Sequence, residues 1–191
     1  MKIKYVLNTA IIFCIYVVSH AQVVNFSWAK SFGGGTSNGL GQSVTTATSG
    51  NVYSVGFFAN TTDFDPGPGI YNLTPNGSFD IFISKLGPAG NFIWAKRIGG
   101  PGDDRAYSIA VDKLGNCYVT GFFNQTVDFD PNSGFYNLTS AGGRDAFILK
   151  LNTAGNFVWA NKFGDTGADG AISLAIDTSC NVYTTGDFRG T

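Results

Sequence analysis

The stretch NCYVTGFFNQTVDFDPNSGFYNLTSAGGRDAFILKLNTAGNFVWANKF, Asn116 to Phe163, stands once before in the chain. Its earlier form runs from Asn51 to Ile98 as NVYSVGFFANTTDFDPGPGIYNLTPNGSFDIFISKLGPAGNFIWAKRI. The offset is 65 residues without a gap, and 27 of 48 aligned positions are identical. A third copy opens at Asn181 (NVYTTGDF), and WAKSF at Trp28 to Phe32 repeats the end of the unit. Self-similarity at this period is the mark of a repeat architecture, in which each unit buries its faces on its neighbours.

Each unit reads as four strands. In the second copy they are Tyr107 to Asp112, Asn116 to Phe123, Asp145 to Leu151 and Phe157 to Phe163. Val, Ile, Phe, Tyr and Trp fill them, and Gly, Asn and Asp bound them. No window of helical period and adequate length follows residue 21. In the third strand Phe147, Leu149 and Leu151 point one way, and Ala146 and Ile148 the other. Both faces are thus largely apolar, as in a sheet packed between two others and unlike a one-sided sandwich. The first-to-second and third-to-fourth turns are short Gly-Asn turns, a hairpin chemistry. The longer connections are rich in Asp and Gly, and strand alternation puts them all on one face. Within the 21-residue connection, Val127 to Asp130 and Phe135 to Thr139 flank the turn signal Pro-Asn-Ser-Gly. They predict a β-hairpin projecting from the sheet.

The recurring motifs G-N-x-Y-x-x-G-x-F, D-F-D-P, Y-N-L-T, D-x-F-I-x-K-L and G-N-F-x-W-A resemble the SBBP repeat of secreted bacterial β-propellers. The resemblance covers Trp28 to Phe188 and implies an all-β propeller of four-stranded antiparallel blades. It transfers no catalytic residue. The expected division is a signal peptide over 1–21 and a partial propeller over 22–191. The latter would comprise a lone outer strand (28–35), one blade at 36–100, a second at 101–165 and a truncated third at 166–191. That is an incomplete propeller of about 2.5–3 blades, where four to eight are usual, with an open end after Ile172.

The leader reading rests on Lys2 and Lys4, the apolar run to Val18 and the small-x-small site Ser19-His20-Ala21. The run is too short to span a membrane, so the mature chain is expected to be secreted or held at the cell surface. Cleavage near Ala21 would remove His20, the only histidine. Ten Lys and Arg would then face thirteen acidic residues, all Asp. That balance excludes a basic nucleic-acid footprint. The loss of His20 excludes His-ligated zinc and a Ser-His-Asp triad within this chain. Cys117 and Cys180 fall at non-equivalent repeat positions. This favours two free thiols over a disulfide.

Four carboxylates are the metal candidates. Asp63 and Asp65, and again Asp128 and Asp130, put two oxygen donors on one strand face, a pattern that calcium could use. The competing reading is turn capping before Pro66 and Pro131 with Phe64 and Phe129 packed inward, and it is preferred. No other cofactor is indicated. Asp103, Asp104, Asp165 and Asp169 read as solvated loop charges, and Asp80 and Asp145 as bonding the adjacent turn. Trp28, Trp94 and Trp159 recur with the repeat and read as packing residues rather than sugar platforms. No nucleophile–base pair appears. The reading is a non-catalytic binding module for a protein or glycan. A polysaccharide lyase or hydrolase, and a structural spacer, are the alternatives.

Overall fold

The computed structural model describes residues 27–33 and 38–189. Twelve strands account for its secondary structure, and no helix occurs among the described residues. The first sheet joins β1 (Gly39–Thr46), β2 (Val52–Phe58), β5 (Asp80–Leu86) and β6 (Phe92–Ile98) in that order, all antiparallel. A small hairpin of β3 (Thr62–Asp63) and β4 (Asn72–Leu73) lies between β2 and β5 in the chain. The second sheet repeats the order with β7 (Arg105–Val111), β8 (Cys117–Asp128), β9 (Asn137–Leu151) and β10 (Phe157–Phe163). Here the hairpin is fused into the sheet, so β8 and β9 are longer than expected. A third, two-stranded sheet pairs β11 (Gly170–Ile176) with β12 (Val182–Asp187). The leader, residues 1–21, lies outside the described residues.

The glycine of the G-x-F motif has a backbone reason. β1, β7 and β11 each carry a register shift, at Gly41/Ser43, Ala106/Ser108 and Ala171/Ser173. Such a bulge pushes one carbonyl towards the neighbouring strand. A Cβ at Gly56, Gly121 or Gly186 would lie 1.9 Å from the oxygen of Leu40, Arg105 or Gly170 respectively. Only glycine fits there.

β7 packs on β1 and β2, and β11 on β7 and β8, so successive sheets stack through the first strand of each unit. One core runs across the first contact: Tyr53, Val55, Ile81 and Ile83 from one sheet, Ile109, Val119, Phe147 and Leu149 from the next. This is why β5 is buried along its whole length and apolar on both faces. Arginine reinforces the stack. Arg105 lies 4.6 Å from the ring of Phe57 and 4.7 Å from that of Phe79. At the next contact Gly170 holds the place of Arg105. Arg144 then covers Phe122 at 4.5 Å and reaches Asp187 of the third unit.

The tryptophans pin each unit to the next. Trp94 is buried, and its Nε1 donates to Thr153 O at 3.2 Å, in the turn between β9 and β10. Lys85 Nζ donates to the same carbonyl at 2.8 Å. Trp28 treats the first unit alike, donating to Pro88 O at 2.8 Å. Residues 28–32 form no strand of their own, and Phe32 packs on Phe64 at 5.4 Å. The two cysteines among the described residues are free: Cys117 is buried, where desolvation pushes its thiol up to about 12, and Cys180 is exposed.

Candidate functional site

The D-F-D-P hairpins are closed by their own carboxylates. Asp63 Oδ1 accepts the backbone N–H of Asp65 at 3.0 Å and of Tyr71 at 2.8 Å. Asp128 Oδ1 does the same with Asp130 and Tyr136, at 3.0 and 2.8 Å. Asp65 Oδ1 accepts from Gly67 N at 2.7 Å, and Asp130 Oδ1 from Asn132 N at 3.0 Å. Gly69 and Gly134 give the second carboxylates room, since a Cβ on either would sit 2.2 Å from Oδ2.

The aromatic between the paired aspartates points inward. Phe129 is fully buried between Phe123 and Phe147, 5.2 and 5.1 Å away. Phe64 packs likewise against Phe58 and Phe82. The hairpins therefore lie on their sheets, whereas the sequence reading had them projecting. Burial of the phenylalanine contributes about 2 kcal/mol to holding the loop against the sheet.

What stays outside is periodic. Ile70 and Phe135 occupy the same repeat position at the hairpin tips and are 78% and 84% exposed. Next to them Tyr71 and Tyr136 lie half-covered on Phe92 and Phe157, 4.9 and 4.8 Å between centroids. Between the two hairpins runs an open groove of about 270 Å³. Tyr71 lines it with Lys96 and Arg97 of β6, and Asp128, Asp130 and Asn132 face them from the next unit. Lys96 Nζ donates to Asn132 Oδ1 at 2.9 Å across it. Such a groove offers both charge signs, amide groups and the edge of an aromatic ring to a polar ligand. Among the described residues no three His, Cys or Asp side chains converge to hold a metal ion.

A second set of carboxylates is buried. Asp80 and Asp145, at the start of β5 and within β9, have no exposure. Asp80 Oδ2 pairs with Arg97 at 2.5 Å and accepts from Asn76 N. Asp145 Oδ2 pairs with Lys162 at 2.8 Å and accepts from Ala141 N. The loops joining successive units hold Asp104 and Asp169, which the sequence reading had left as solvated charges. They are buried instead, and each accepts two backbone N–H bonds. Asp104 takes N–H bonds from Gly100 and Asn124, both at 2.8 Å. Asp169 takes them from Asp165 and Arg189, at 3.0 and 2.7 Å. Burial raises the Asp104 carboxyl to about 6, against those two hydrogen bonds and with repulsion from Asp80 and Asp103. Asp103 is the charge that remains at the surface, in a two-point pair with Arg105.

The structure does not bring the two D-F-D-P carboxylate pairs together into one cluster. The cations Lys96 and Arg97 escaped the sequence reading. Their signal was available: they directly follow G-N-F-x-W-A, near the crossing to the next unit.

Residues 93–121 match the family model for the SBBP β-propeller repeat. The match spans β6, the joining loop, β7 and the start of β8, which is the part of the unit that carries one sheet onto the next. An uncharacterized WD repeat-containing protein of Acanthamoeba polyphaga mimivirus is 34% identical over 121 residues, covering 62% of this chain and 9% of that protein. The regulatory protein FlaEY of Caulobacter vibrioides is 26% identical over 153 residues, covering 80% of this chain and 16% of the other. The chain spans less than a fifth of the length of either relative. No helix among the described residues is long and apolar enough to cross a membrane.

Proposed function

We propose that this chain is an exported propeller-repeat module that binds a glycan or protein ligand outside the cell and catalyses no reaction. The groove between successive hairpins carries the reading. It presents Tyr71, two cations and two carboxylates on adjacent units, so its form depends on the repeat and not on one loop. Similarity to a WD repeat-containing protein supports an interaction role. The leader over 1–21 motivates the location.

A polysaccharide-cleaving enzyme needs a carboxyl of raised pKa that touches substrate. Asp104 has the raised pKa, but it is fully buried and both its oxygens are bonded to backbone amides.

The test is binding of the purified chain to an array of neutral and acidic oligosaccharides and to extracellular protein fractions. Tyr71→Ala with Lys96→Ala is expected to weaken the strongest signal by about tenfold, in line with loss of a stacking and a charged contact. A signal unchanged in the folded double variant would refute the groove as the site.

A further inference from the structure

The chemistry of the ligand follows from which charges in the groove between hairpins are already answered, an inference that rests on that groove being the binding site. Arg97 is committed, through its pair with the fully buried Asp80. Lys96 is not. Its ammonium donates to Asn132 Oδ1 and enters no ion pair among the described residues. Asp128 and Asp130 enter none either. Each lends Oδ1 to its own turn and keeps Oδ2 unbonded among the described residues. One uncommitted cation thus stands against two carboxylates.

This balance disfavours polymers of either charge. A uronate or sulfated chain meets two carboxylates for one ammonium, and like charges brought together at an interface are costly. A chain of basic residues must lay its own cations against Lys96. A hydroxyl suits both sides, because it donates one hydrogen bond and accepts others. Neighbouring hydroxyls of a sugar can give to Asp128 or Asp130 and take from Lys96. Hydrogen bonds to ionised groups are about twice as strong as those between neutral ones. Tyr71, held 4.9 Å from Phe92, adds an apolar surface for the sugar ring.

The arrangement occurs twice. WAKSF at 28–32 repeats WAKRI at 94–98, with Lys30 in the place of Lys96. Both lysines lie over a Gly-Asn turn of the following unit. The side chain of Lys30 is 3.1 Å from where a Cβ on Gly90 would stand, and that of Lys96 is 3.0 Å from the same point on Gly155. The segment at 28–32 also meets the hairpin of Asp63 and Asp65, through Phe32 on Phe64 and a 2.7 Å bond from Gly33 N to Asp63 O. Asp63, Asp65 and Lys30 enter no ion pair among the described residues. A site repeated at the period of the fold fits a ligand that is itself periodic. We propose that the ligand is a neutral linear polysaccharide lying across both junctions, with its hydroxyls between lysine and aspartate at each.

The experiment is electrophoresis of the full chain through gels carrying a linear glucan, mannan or xylan, with polygalacturonate and polylysine as charged probes. At least one neutral polymer is expected to retard the chain, and neither charged one. Raised salt should leave that retardation unchanged, since no ion pair forms with the ligand. Lys30→Ala and Lys96→Ala are each expected to weaken binding of the neutral polymer by about tenfold, because losing one junction removes the gain of engaging two. Far-ultraviolet circular dichroism of both variants should match wild type. Retardation by polygalacturonate or polylysine that Lys96→Ala alters overturns the neutral class while leaving the groove as the site. Retardation by a neutral polymer that both folded variants leave unchanged refutes the groove itself. A loss confined to Lys96→Ala overturns the ligand that spans two junctions, and a chain held by no neutral polymer overturns the inference outright.

Discussion

Asp103 and Asp104 are neighbours of the same residue type with opposite fates. Asp103 pairs with Arg105 at the surface, whereas Asp104 is buried and staples the joining loop to the end of β8. Its folded pKa of about 6 stands above the usual 3.8 because burial penalises the charge. The sign follows from linkage: the folded chain binds the proton more tightly than the unfolded one. The contribution is fully present below pH 3.8 and is lost as pH rises through 6. A shift of this size corresponds to about 3 kcal/mol. Urea denaturation from pH 4 to 7 is expected to show this stability falling as pH rises, and Asp104→Asn should flatten that slope. The charged groups that act on Asp104 are Asp80 and Asp103, and both repel its charge. Asp112 works the other way. Burial would raise it, but bonds from Asn116 and Leu114 outweigh that and hold it below the ordinary value.

At the scale of the elements, calcium binding and turn capping lead to different expectations for the hairpins. Asp63, Asp65, Asp128 and Asp130 each spend an oxygen on backbone N–H groups of their own turn. Calcium takes six to eight oxygens in its shell, and each hairpin offers two carboxylates. Calorimetric titration with calcium is expected to give no heat at micromolar metal. Asp128→Ala is expected to destabilise the fold by about 1–2 kcal/mol through the lost turn bonds. Micromolar binding that Asp128→Ala abolishes would reverse this assignment. Much of the element level was legible in the chain. The strand 157–163 coincides with β10, and of the expected extension Val127 to Asp130 the first two residues belong to β8, which ends at Asp128. The direction of the hairpins was not legible. The inward packing of Phe129 could be read from the sequence, but not that it turns back between Phe123 and Phe147 and so draws the hairpin onto the sheet. The burial of Asp169 was hidden for the same reason, since its partner amide at Arg189 lies 20 residues on.

For the whole molecule, the 65-residue period gave both the stacking and its limits. The repeated tyrosine of N-x-Y and the tryptophan of F-x-W are the residues that touch the next unit, so the interface could be read as packing from one chain. The groove between hairpins could not, because it forms only when Lys96 of one unit meets Asn132 of the next. Protection should follow the same layering. The central strands β5, β8 and β9 have neighbours on both edges and buried side chains. Their amides are expected to exchange slowest with deuterium, and those of β12, which pairs with β11 alone, fastest. Uniform protection across all three sheets would contradict this ordering.

Each unit ends on an edge strand, β6 or β10, and the chain then crosses to the first strand of the next sheet, at its opposite edge. Trp94 of β6 is bonded to the turn of the following unit. A pull along the polypeptide therefore meets the sheets one at a time. It peels an edge strand sideways from its antiparallel partner and does not slide one strand along another. The same bond ties the peeling of one unit to the loosening of its neighbour's turn. Under tension the chain would behave as a series of linked clasps that yield in sequence and lengthen by one repeat at each release.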